Sequence, residues 1–318
     1  MTTQHDRAAR PPRFGRLRRT LLAALVAAAV VVPVSAAALP DAPAPAPVRF
    51  GEAVPLQERY AANRAALAGA ARMAAGAGHE SRAAKLRAMA SGRFLAFDGH
   101  GTGRAVEVLG DLAGARRVAL LVPGSDTTLD TYARFRAGAA ALRERLLREG
   151  HGDTAVVAWL GYDTPGTVSP AVVTTGRADD AARELAPFLS GLARLAPGAG
   201  ISLLCHSYGS VVCARTATPA AVTDVVLYGS PGTGADRAAD LPTAARVWAG
   251  RGAGDWIAGV PHVRVELPGG SLGFGTDPVD PGFGARVFDA GDGGHSGYLH
   301  AGAASLARLA RIAAGERP

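Results

Sequence analysis

One short segment, residues 201–212, constrains the fold of this chain more than any other. An apolar, strand-like stretch runs up to Ser207, and a helix-like stretch of small residues follows directly. In a sharp turn from a strand to a helix, the central residue has a strained backbone and its side chain projects above the sheet. Such a turn favours small residues two positions before and two positions after the central residue. Gly209 meets that need, whereas Cys205 stands where the usual pattern has glycine. The segment predicts a tight turn that presents the Ser207 hydroxyl.

A carboxylate and a histidine follow Ser207 in an order that suits catalysis. Asp255 comes after the strand-like residues 245–250, and His295 comes after the strand-like residues 286–290. Ligands bind at the carboxyl ends of the strands in open, mostly parallel sheets. A serine hydroxyl is a poor nucleophile, so an imidazole must accept its proton and a carboxylate must orient that imidazole. We therefore predict that Ser207, Asp255 and His295 are the catalytic residues of one site.

Other residues of the same types compete for these roles. The rival acids are Asp126, Asp163 and Asp277. The alternatives to His295 are His262 and His300. Asp255 is preferred because it follows the strand that usually presents the acid, while Asp163 precedes the serine. His206 adjoins Ser207 and is expected to have a structural role.

Strand-like and helix-like segments alternate along most of the chain. The strand-like runs are residues 118–122, 155–160, 201–206, 225–228, 246–249, 263–267 and 286–290, and the helix-like segments include 129–147, 181–195 and 304–313. Apolar runs such as 118–122 are typical of strands covered on both faces. The alternation predicts an α/β fold, with helices on both faces of a mostly parallel sheet.

Two further elements are expected before this alternation begins. Residues 55–92 are rich in Ala, Leu and Arg and predict a helical N-terminal extension with a break near residues 76–78. Within it, Tyr60, Leu67 and Met73 have helical spacing and are expected to pack. Residues 93–97 and 104–109 flank a glycine-rich turn, which predicts an antiparallel hairpin.

The loops after the first two core strands are expected to complete the site. In this arrangement two backbone N–H groups stabilise the oxyanion that develops on the substrate carbonyl. We assign one to Tyr208, the residue after the serine, and the other to Ser125, with Gly124 and Asp126 as alternatives. A helix cap is the competing role for this loop. The side chains predicted to contact substrate are Asp126, Tyr162 and Asp163.

The amino-terminal residues 1–38 resemble an export signal. Six arginines and one acid give them a net charge of +5 out of the formal +7 of the whole chain, which leaves +2 for the rest. An uncharged apolar run at 21–32 and small residues at 35–38 follow, which favours a cleaved signal over a membrane anchor, and Arg18-Arg19 resembles a twin-arginine signal. Residues 39–54 are interpreted as a Pro/Ala-rich linker and 55–318 as the folded domain. The weakly charged domain gives no support to nucleic-acid binding.

The chain has two cysteines, Cys205 and Cys213. An exported protein is permitted a disulfide, but a strand and a packed helix usually lie about 10 Å apart, beyond the reach of a disulfide. Two buried free thiols are therefore the favoured interpretation, with a disulfide as the alternative. No motif for a metal or another cofactor is found.

The motifs together resemble those of a known family. The sequences GSDTT at 124–128, WLGYDTP at 159–165 and HSYGS at 206–210 resemble an uncharacterised family of actinobacterial α/β-hydrolases, and the resemblance covers about residues 55–315. It implies the α/β-hydrolase fold and a serine nucleophile at Ser207. It does not indicate a substrate.

The leading hypothesis is an enzyme, a secreted or cell-envelope serine hydrolase acting on a small-molecule or lipid ester. The same three residues would serve an acyltransferase, in which an alcohol replaces water. A non-catalytic cell-envelope binding protein on the same scaffold is the alternative from another class, since fold does not determine function. Membrane contact is expected only through the amino-terminal segment, if it is not cleaved.

Overall fold

A computed structural model describes residues 42–49, 51, 54–267 and 270–318. The predicted export signal, its anchor alternative and the first residues of the predicted linker lie outside these residues. Within the described part of the chain, no helix combines the length and apolar character needed to cross a bilayer.

The strands that the structure describes form one large sheet and a separate hairpin. They are β1 (Arg93–Asp98), β2 (Arg104–Leu109), β3 (Arg117–Val122), β4 (Thr154–Leu160), β5 (Gly200–His206), β6 (Val222–Tyr228), β7 (Arg246–Gly250), β8 (Val265–Leu267), β9 (Gly270–Leu272) and β10 (Arg286–Val287). The large sheet has eight strands in the order β1-β2-β4-β3-β5-β6-β7-β10. Pairing is antiparallel at β1–β2 and β2–β4 and parallel from β4 to β10. The predicted mostly parallel sheet is confirmed.

Helices cover both faces of this sheet. They are α1 (Leu56–Gly76), α2 (Glu80–Met89), α3 (Tyr132–Arg148), α4 (Gly176–Leu195), α5 (Tyr208–Arg215) and α6 (Ala304–Ala313). Successive strand residues point to opposite faces. Accordingly, Val118 and Leu120 of β3 join one core layer with α4 and α5. Ala119 and Leu121 join the other layer with α3 and α6. Burial on both sides is the reason that β3 is apolar throughout.

The amino-terminal helices pack on the β1–β2 hairpin, as the sequence predicts. Tyr60 and Leu67 of α1 are buried, but Met73 is 42% exposed, so the packing role expected for Met73 is wrong. Helical spacing put Met73 near the apolar face of α1, but its side chain lies at the solvent-exposed edge of that face. Ala42 and Ala44, in the segment interpreted as a linker, are buried against these helices.

One predicted strand lies elsewhere than in the main sheet. Residues 263–267 contribute β8, which pairs only with β9 in an antiparallel hairpin. This β8–β9 hairpin is linked to the turn before α4 through a bridge between Thr174 and Leu272. Local β-propensity does not specify which strand a segment pairs with. The sequence pattern could therefore not show whether residues 263–267 join the main sheet or a separate hairpin.

The sheet order determines where a ligand can bind. The chain passes from β3 to β4 on one side and then to β5 on the other, so the loops after β3 and β5 diverge around a crevice. Such a switch point is the usual ligand site of open α/β sheets. Ser125 follows β3 and Ser207 follows β5, and both therefore lie at this crevice.

The two cysteines form a disulfide between β5 and α5, with their Cα atoms 6.4 Å apart. The favoured prediction of free thiols is therefore wrong. The two Cα atoms lie on facing sides of β5 and α5, so they are closer together than the axes of a packed strand and helix. Gly209, in the first turn of α5, lets the helix come close to the end of β3. A Cβ at that position would lie 2.6 Å from the carbonyl oxygens of Val122 and Pro123. A glycine at this point lets α5 press against the strand ends.

We predict that this disulfide stabilises the fold. It closes a loop with a sequence separation of 8 residues, for which chain entropy gives about 2.5 kcal/mol. The double variant Cys205→Ala/Cys213→Ala should lose about this much free energy of unfolding in guanidinium chloride. Alkylation of the unfolded, unreduced wild type should detect no free thiol. A double variant as stable as wild type would contradict the prediction.

Candidate active site

Ser207 adopts the strained backbone that its sequence context predicts. Its φ is 52° and its ψ is −125°. Among the described residues, only Ser207 and Asp126 have a positive φ without being glycine. The strained peptide is held by three hydrogen bonds: the Ser207 N–H donates to the Tyr228 carbonyl, and the N–H and hydroxyl of Ser210 donate to the Ser207 carbonyl. These contacts stabilise a geometry that costs about 1–3 kcal/mol.

The three residues predicted to act together meet in one hydrogen-bonded chain. His295 Nε2 lies 2.9 Å from Ser207 Oγ. On the other side of the ring, His295 Nδ1 lies 2.9 Å from Asp255 Oδ1 and 3.1 Å from Oδ2. Because an ionised carboxylate only accepts hydrogen bonds, Nδ1 carries the proton and Nε2 is free to accept one from the serine.

The rival acids and histidines are engaged elsewhere. Asp277 forms an ion pair with Arg251, and His262 lies 3.7 Å from it. Asp163 accepts from the Thr102 hydroxyl, and Asp126 accepts from the N–H and hydroxyl of Thr167. His300 is an exposed residue at the mouth of the crevice. In the structure, His295 pairs with Asp255 and with none of these acids.

Asp255 is almost fully buried and yet stays ionised. Burial raises the pKa of its carboxyl, but the hydrogen bonds from His295, Tyr298 and the Ile257 N–H outweigh that effect and bring the pKa below its ordinary value. The Tyr298 hydroxyl donates to Asp255 Oδ2 at 2.5 Å and accepts from the Gly252 N–H at 3.0 Å. The carboxylate is therefore a fixed, charged partner for the imidazole.

Tyr298 is a site residue that sequence reasoning missed. It lies three residues after His295 in a glycine-rich loop, and its proximity to His295 in the chain was the only available signal. Its partner Asp255 is 43 residues away in the sequence. Contacts of this kind leave no local pattern.

His206 contacts the backbone of the loop that carries His295, in line with its expected structural role. Its Nε2–H donates to the His295 carbonyl at 2.8 Å, and the two rings lie 4.8 Å apart. Burial, followed by the neighbouring His295, lowers the pKa of His206 to about 4. His206 is therefore neutral at physiological pH and anchors the loop that carries His295.

The loop after β3 lies directly against the serine. A Cβ at Gly124 would come within 2.7 Å of Ser207 Cβ, so glycine permits this approach. The Asp126 N–H donates to the Pro165 carbonyl. Within the described part of the chain, the N–H groups of Ser125 and Tyr208 donate to no backbone carbonyl. Both remain available to an oxygen placed beside Ser207, whereas the alternative at Asp126 is already engaged.

The predicted substrate contacts divide between two cavities. Ser207 opens into a cavity of about 1010 Å³, which Asp126 also lines. Tyr162 and Asp163 line a separate, charged cavity of about 330 Å³. The Tyr162 hydroxyl turns inward and donates to the Pro123 carbonyl at 2.7 Å, so Tyr162 supports the loop after β3. The structure does not bring Tyr162 or Asp163 to the serine.

The cavity at Ser207 is mostly apolar. Its walls include Phe135, Val173, Trp256, Val263, Leu272 and Phe274. Trp256 is 57% exposed, and its ring lies 4.7 Å from that of His295. Val263 and Leu272 of the hairpin region are also exposed at the rim. Across the described ranges, no three His, Cys, Asp or Glu side chains are grouped as metal ligands would be. The lining suits an apolar group placed next to the serine.

Comparisons with known proteins agree with this architecture. A family model described as "Alpha/beta hydrolase" matches residues 98–265. An uncharacterized protein of Mycobacterium tuberculosis is 31% identical over 252 residues, covering 68% of this chain and 37% of the relative. A second uncharacterized protein of that organism is 35% identical over 184 residues, covering 54% of this chain and 66% of the relative. The chain thus spans little more than a third of the first relative.

Solved structures with a similar fold have low sequence identity. Esterase LipW from Mycobacterium marinum is 14% identical, with a TM-score of 0.43, over 76% of this chain and 88% of the esterase. A serine hydrolase without a lid from Xanthomonas campestris is 17% identical, with a TM-score of 0.41, over 66% of this chain and 88% of that protein.

The low pKa of His206 predicts a specific acid sensitivity. The unfolded chain binds a proton on His206 near pH 6.5, while the folded protein binds it only near pH 4. Stability is therefore lost as the pH falls through this window, by up to about 3 kcal/mol. His206→Gln keeps a donor for the His295 carbonyl but does not titrate. Its free energy of unfolding in urea should fall less than that of wild type across the window.

His79→Gln, which replaces a histidine just before α2, is the matched control and should behave as wild type. Equal losses of stability in wild type and His206→Gln would show that His206 is not the source of the acid sensitivity.

Proposed function

Because the chain belongs to the α/β hydrolase family, we propose that it is an exported serine hydrolase that cleaves carboxylic esters. The observation that carries this proposal is the chain of hydrogen bonds from Asp255 through His295 to Ser207 Oγ. A charged acid, an oriented imidazole and a strained serine form the arrangement that activates a hydroxyl for attack on a carbonyl.

In the first half of the reaction, Ser207 Oγ attacks the ester carbonyl carbon while its proton passes to His295 Nε2. Asp255 stabilises the imidazolium that forms. The N–H groups of Ser125 and Tyr208 donate hydrogen bonds to the negatively charged carbonyl oxygen. In known enzymes each donor of this kind stabilises the transition state by about 3–4 kcal/mol. Breakdown of the intermediate breaks the ester C–O bond, and the departing alcohol takes the proton from His295.

In the second half, water resolves the acyl-enzyme. His295 accepts a proton from the water as its oxygen attacks the acyl carbon, and returns it to Ser207 Oγ as the carboxylic acid leaves. An alcohol in place of water would give acyl transfer with the same residues. The apolar walls of the cavity favour an ester with an apolar acyl group.

Export is supported by two features. Residues 1–38 have the charge and apolar pattern of an export signal. The Cys205–Cys213 disulfide suits an oxidising compartment, since disulfides are rare in the reducing cytosol.

The proposal predicts that activity depends on the Ser207 hydroxyl. Ser207→Ala should reduce kcat for p-nitrophenyl esters about ten-thousand-fold or more, because no nucleophile remains. The matched control is Ser125→Ala, which removes the hydroxyl of another serine that lines the cavity but keeps the backbone N–H proposed to bind the oxyanion. It should retain most of the activity.

A fluorophosphonate probe gives an independent readout of the same prediction. It should label the wild type on Ser207 and leave Ser207→Ala unlabelled. A folded wild type that neither turns over any ester nor reacts with the probe would favour the non-catalytic binding protein.

The proposal also predicts a role for the hydroxyl of Tyr298. Tyr298→Phe removes a hydrogen bond to the charged Asp255, and such bonds contribute about 1.5–3 kcal/mol. We expect kcat to fall about tenfold with little change in KM, because the imidazole is less well held while the cavity wall is unchanged. Tyr228→Phe is the control, since its ring packs on Tyr298 but its hydroxyl does not bond Asp255. A Tyr298→Phe enzyme with the wild-type kcat would refute this role.

A further inference from the structure

Arg134 differs from the other arginines of α3. Each of the others has a partner within the protein: Arg136 pairs with Glu107, Arg143 donates to the carbonyls of Gly152 and Thr154, Arg145 pairs with Glu149, and Arg148 pairs with Glu144. Among the described residues, no carboxylate lies within ion-pair distance of the Arg134 guanidinium. Its side chain is exposed and lines the cavity that contains Ser207.

A second feature of Arg134 is its place at the amino-terminal end of α3. Arg134 lies in the first turn of α3, where the helix dipole already contributes partial positive charge. Asp126, which lines the same cavity, accepts from the N–H and hydroxyl of Thr167. The positive charge of Arg134 also acts on His206, whose pKa it helps to lower, after the larger effects of burial and of the neighbouring His295. Within the described part of the chain, Arg134 is therefore a cation at this cavity that forms no ion pair, while the Asp126 carboxylate is engaged with Thr167.

The cavity runs from one face of the sheet to the other across its carboxyl edge. Phe135 and Leu299 line it on the side of the core layer with α3 and α6. Val172 and Phe274 line it on the side of the layer with α4 and α5, next to the β8–β9 hairpin. Arg134 belongs to the α3 side, and the exposed apolar residues Val173, Val263 and Leu272 belong to the hairpin side. Ser207 therefore lies between the apolar hairpin side and the α3 side, where Arg134 stands beside the apolar Phe135 and Leu299.

We propose that Arg134 is a specificity-determining residue that binds an anionic oxyacid group on the alcohol portion of the ester. The acyl chain then lies along the hairpin side, and the substrate class is an acyl ester of an alcohol that carries a phosphate or carboxylate. A guanidinium suits either group, because its planar fork donates two parallel hydrogen bonds to two oxygens. This inference rests on the proposed ester hydrolysis and specifies its substrate.

The experiment compares two soluble esters with the same acyl chain, hexanoyl glycerol and hexanoyl glycerol phosphate. The quantity measured is the ratio of kcat/KM for the phosphate ester to that for the neutral ester. We expect wild type to prefer the phosphate ester, and we expect Arg134→Gln to lower the ratio about two- to fivefold, mainly through KM, the size expected for an exposed charge pair. Added salt should lower the wild-type ratio in the same direction.

The matched control is Arg148→Gln, which removes an exposed arginine from the other end of α3 and should leave both rates unchanged. Arg134→Lys keeps the charge without the fork and should give an intermediate ratio. The inference is overturned if Arg134→Gln slows both esters equally, or if wild type does not prefer the phosphate ester.

A binding measurement separates this inference from the proposed function. Hexanoyl glycerol phosphate is titrated calorimetrically into Ser207→Ala and into Ser207→Ala/Arg134→Gln. Weaker binding to the double variant, by about two- to fivefold, supports the role of Arg134 even if neither ester is hydrolysed by wild type, an outcome in which the proposed hydrolysis fails. Equal affinities reject the role of Arg134 whatever the turnover.

Discussion

The strained peptide at Ser207 is the constraint on which the rest of the site depends. A serine with a φ of 52° is stable only if its surroundings hold it. Here β5 and α5 hold it from both sides, because the disulfide joins Cys205, two residues before the serine, to Cys213 in the helix that follows. Gly209 and Gly124 then let the helix and the loop after β3 come into contact with the turn. The backbone is thereby held so that the Ser207 hydroxyl lies 2.9 Å from His295 Nε2.

The remaining site residues are organised around that fixed hydroxyl. Asp255 lies in a buried position, where an isolated carboxylate would be neutralised, but three donors keep it charged. His295 is held by Asp255 at Nδ1, by His206 at its carbonyl and by the Trp256 ring beside it. Because these groups lie at or after the carboxyl ends of strands of one sheet and are joined by hydrogen bonds, the geometry is preorganised.

Several parts of this arrangement could be predicted because they leave local traces in the sequence. A strand covered on both faces must be apolar throughout, and β3 is recognisable for that reason. The turn at Ser207 demands small neighbours, and the order serine, acid, histidine after successive strands was enough to prefer Asp255 over Asp163. Other features left no such trace. Tyr162 and Asp163 are adjacent in a loop after a core strand, yet the Tyr162 hydroxyl turns inward to support Pro123.

The sequence by itself determined the alternation of strands and helices, the position of the strained turn and the order of the three residues proposed to act together, since each follows from periodicity or from the needs of a few neighbouring residues. Only the tertiary structure decided that the cysteines are bonded, that Tyr298 holds Asp255, that β8 pairs with β9 outside the main sheet, and that Arg134 lines the cavity without an ion-pair partner among the described residues. Each of these depends on distances between groups far apart in the chain. Such distances are set by how closely helices and loops pack on the sheet, which no local pattern encodes.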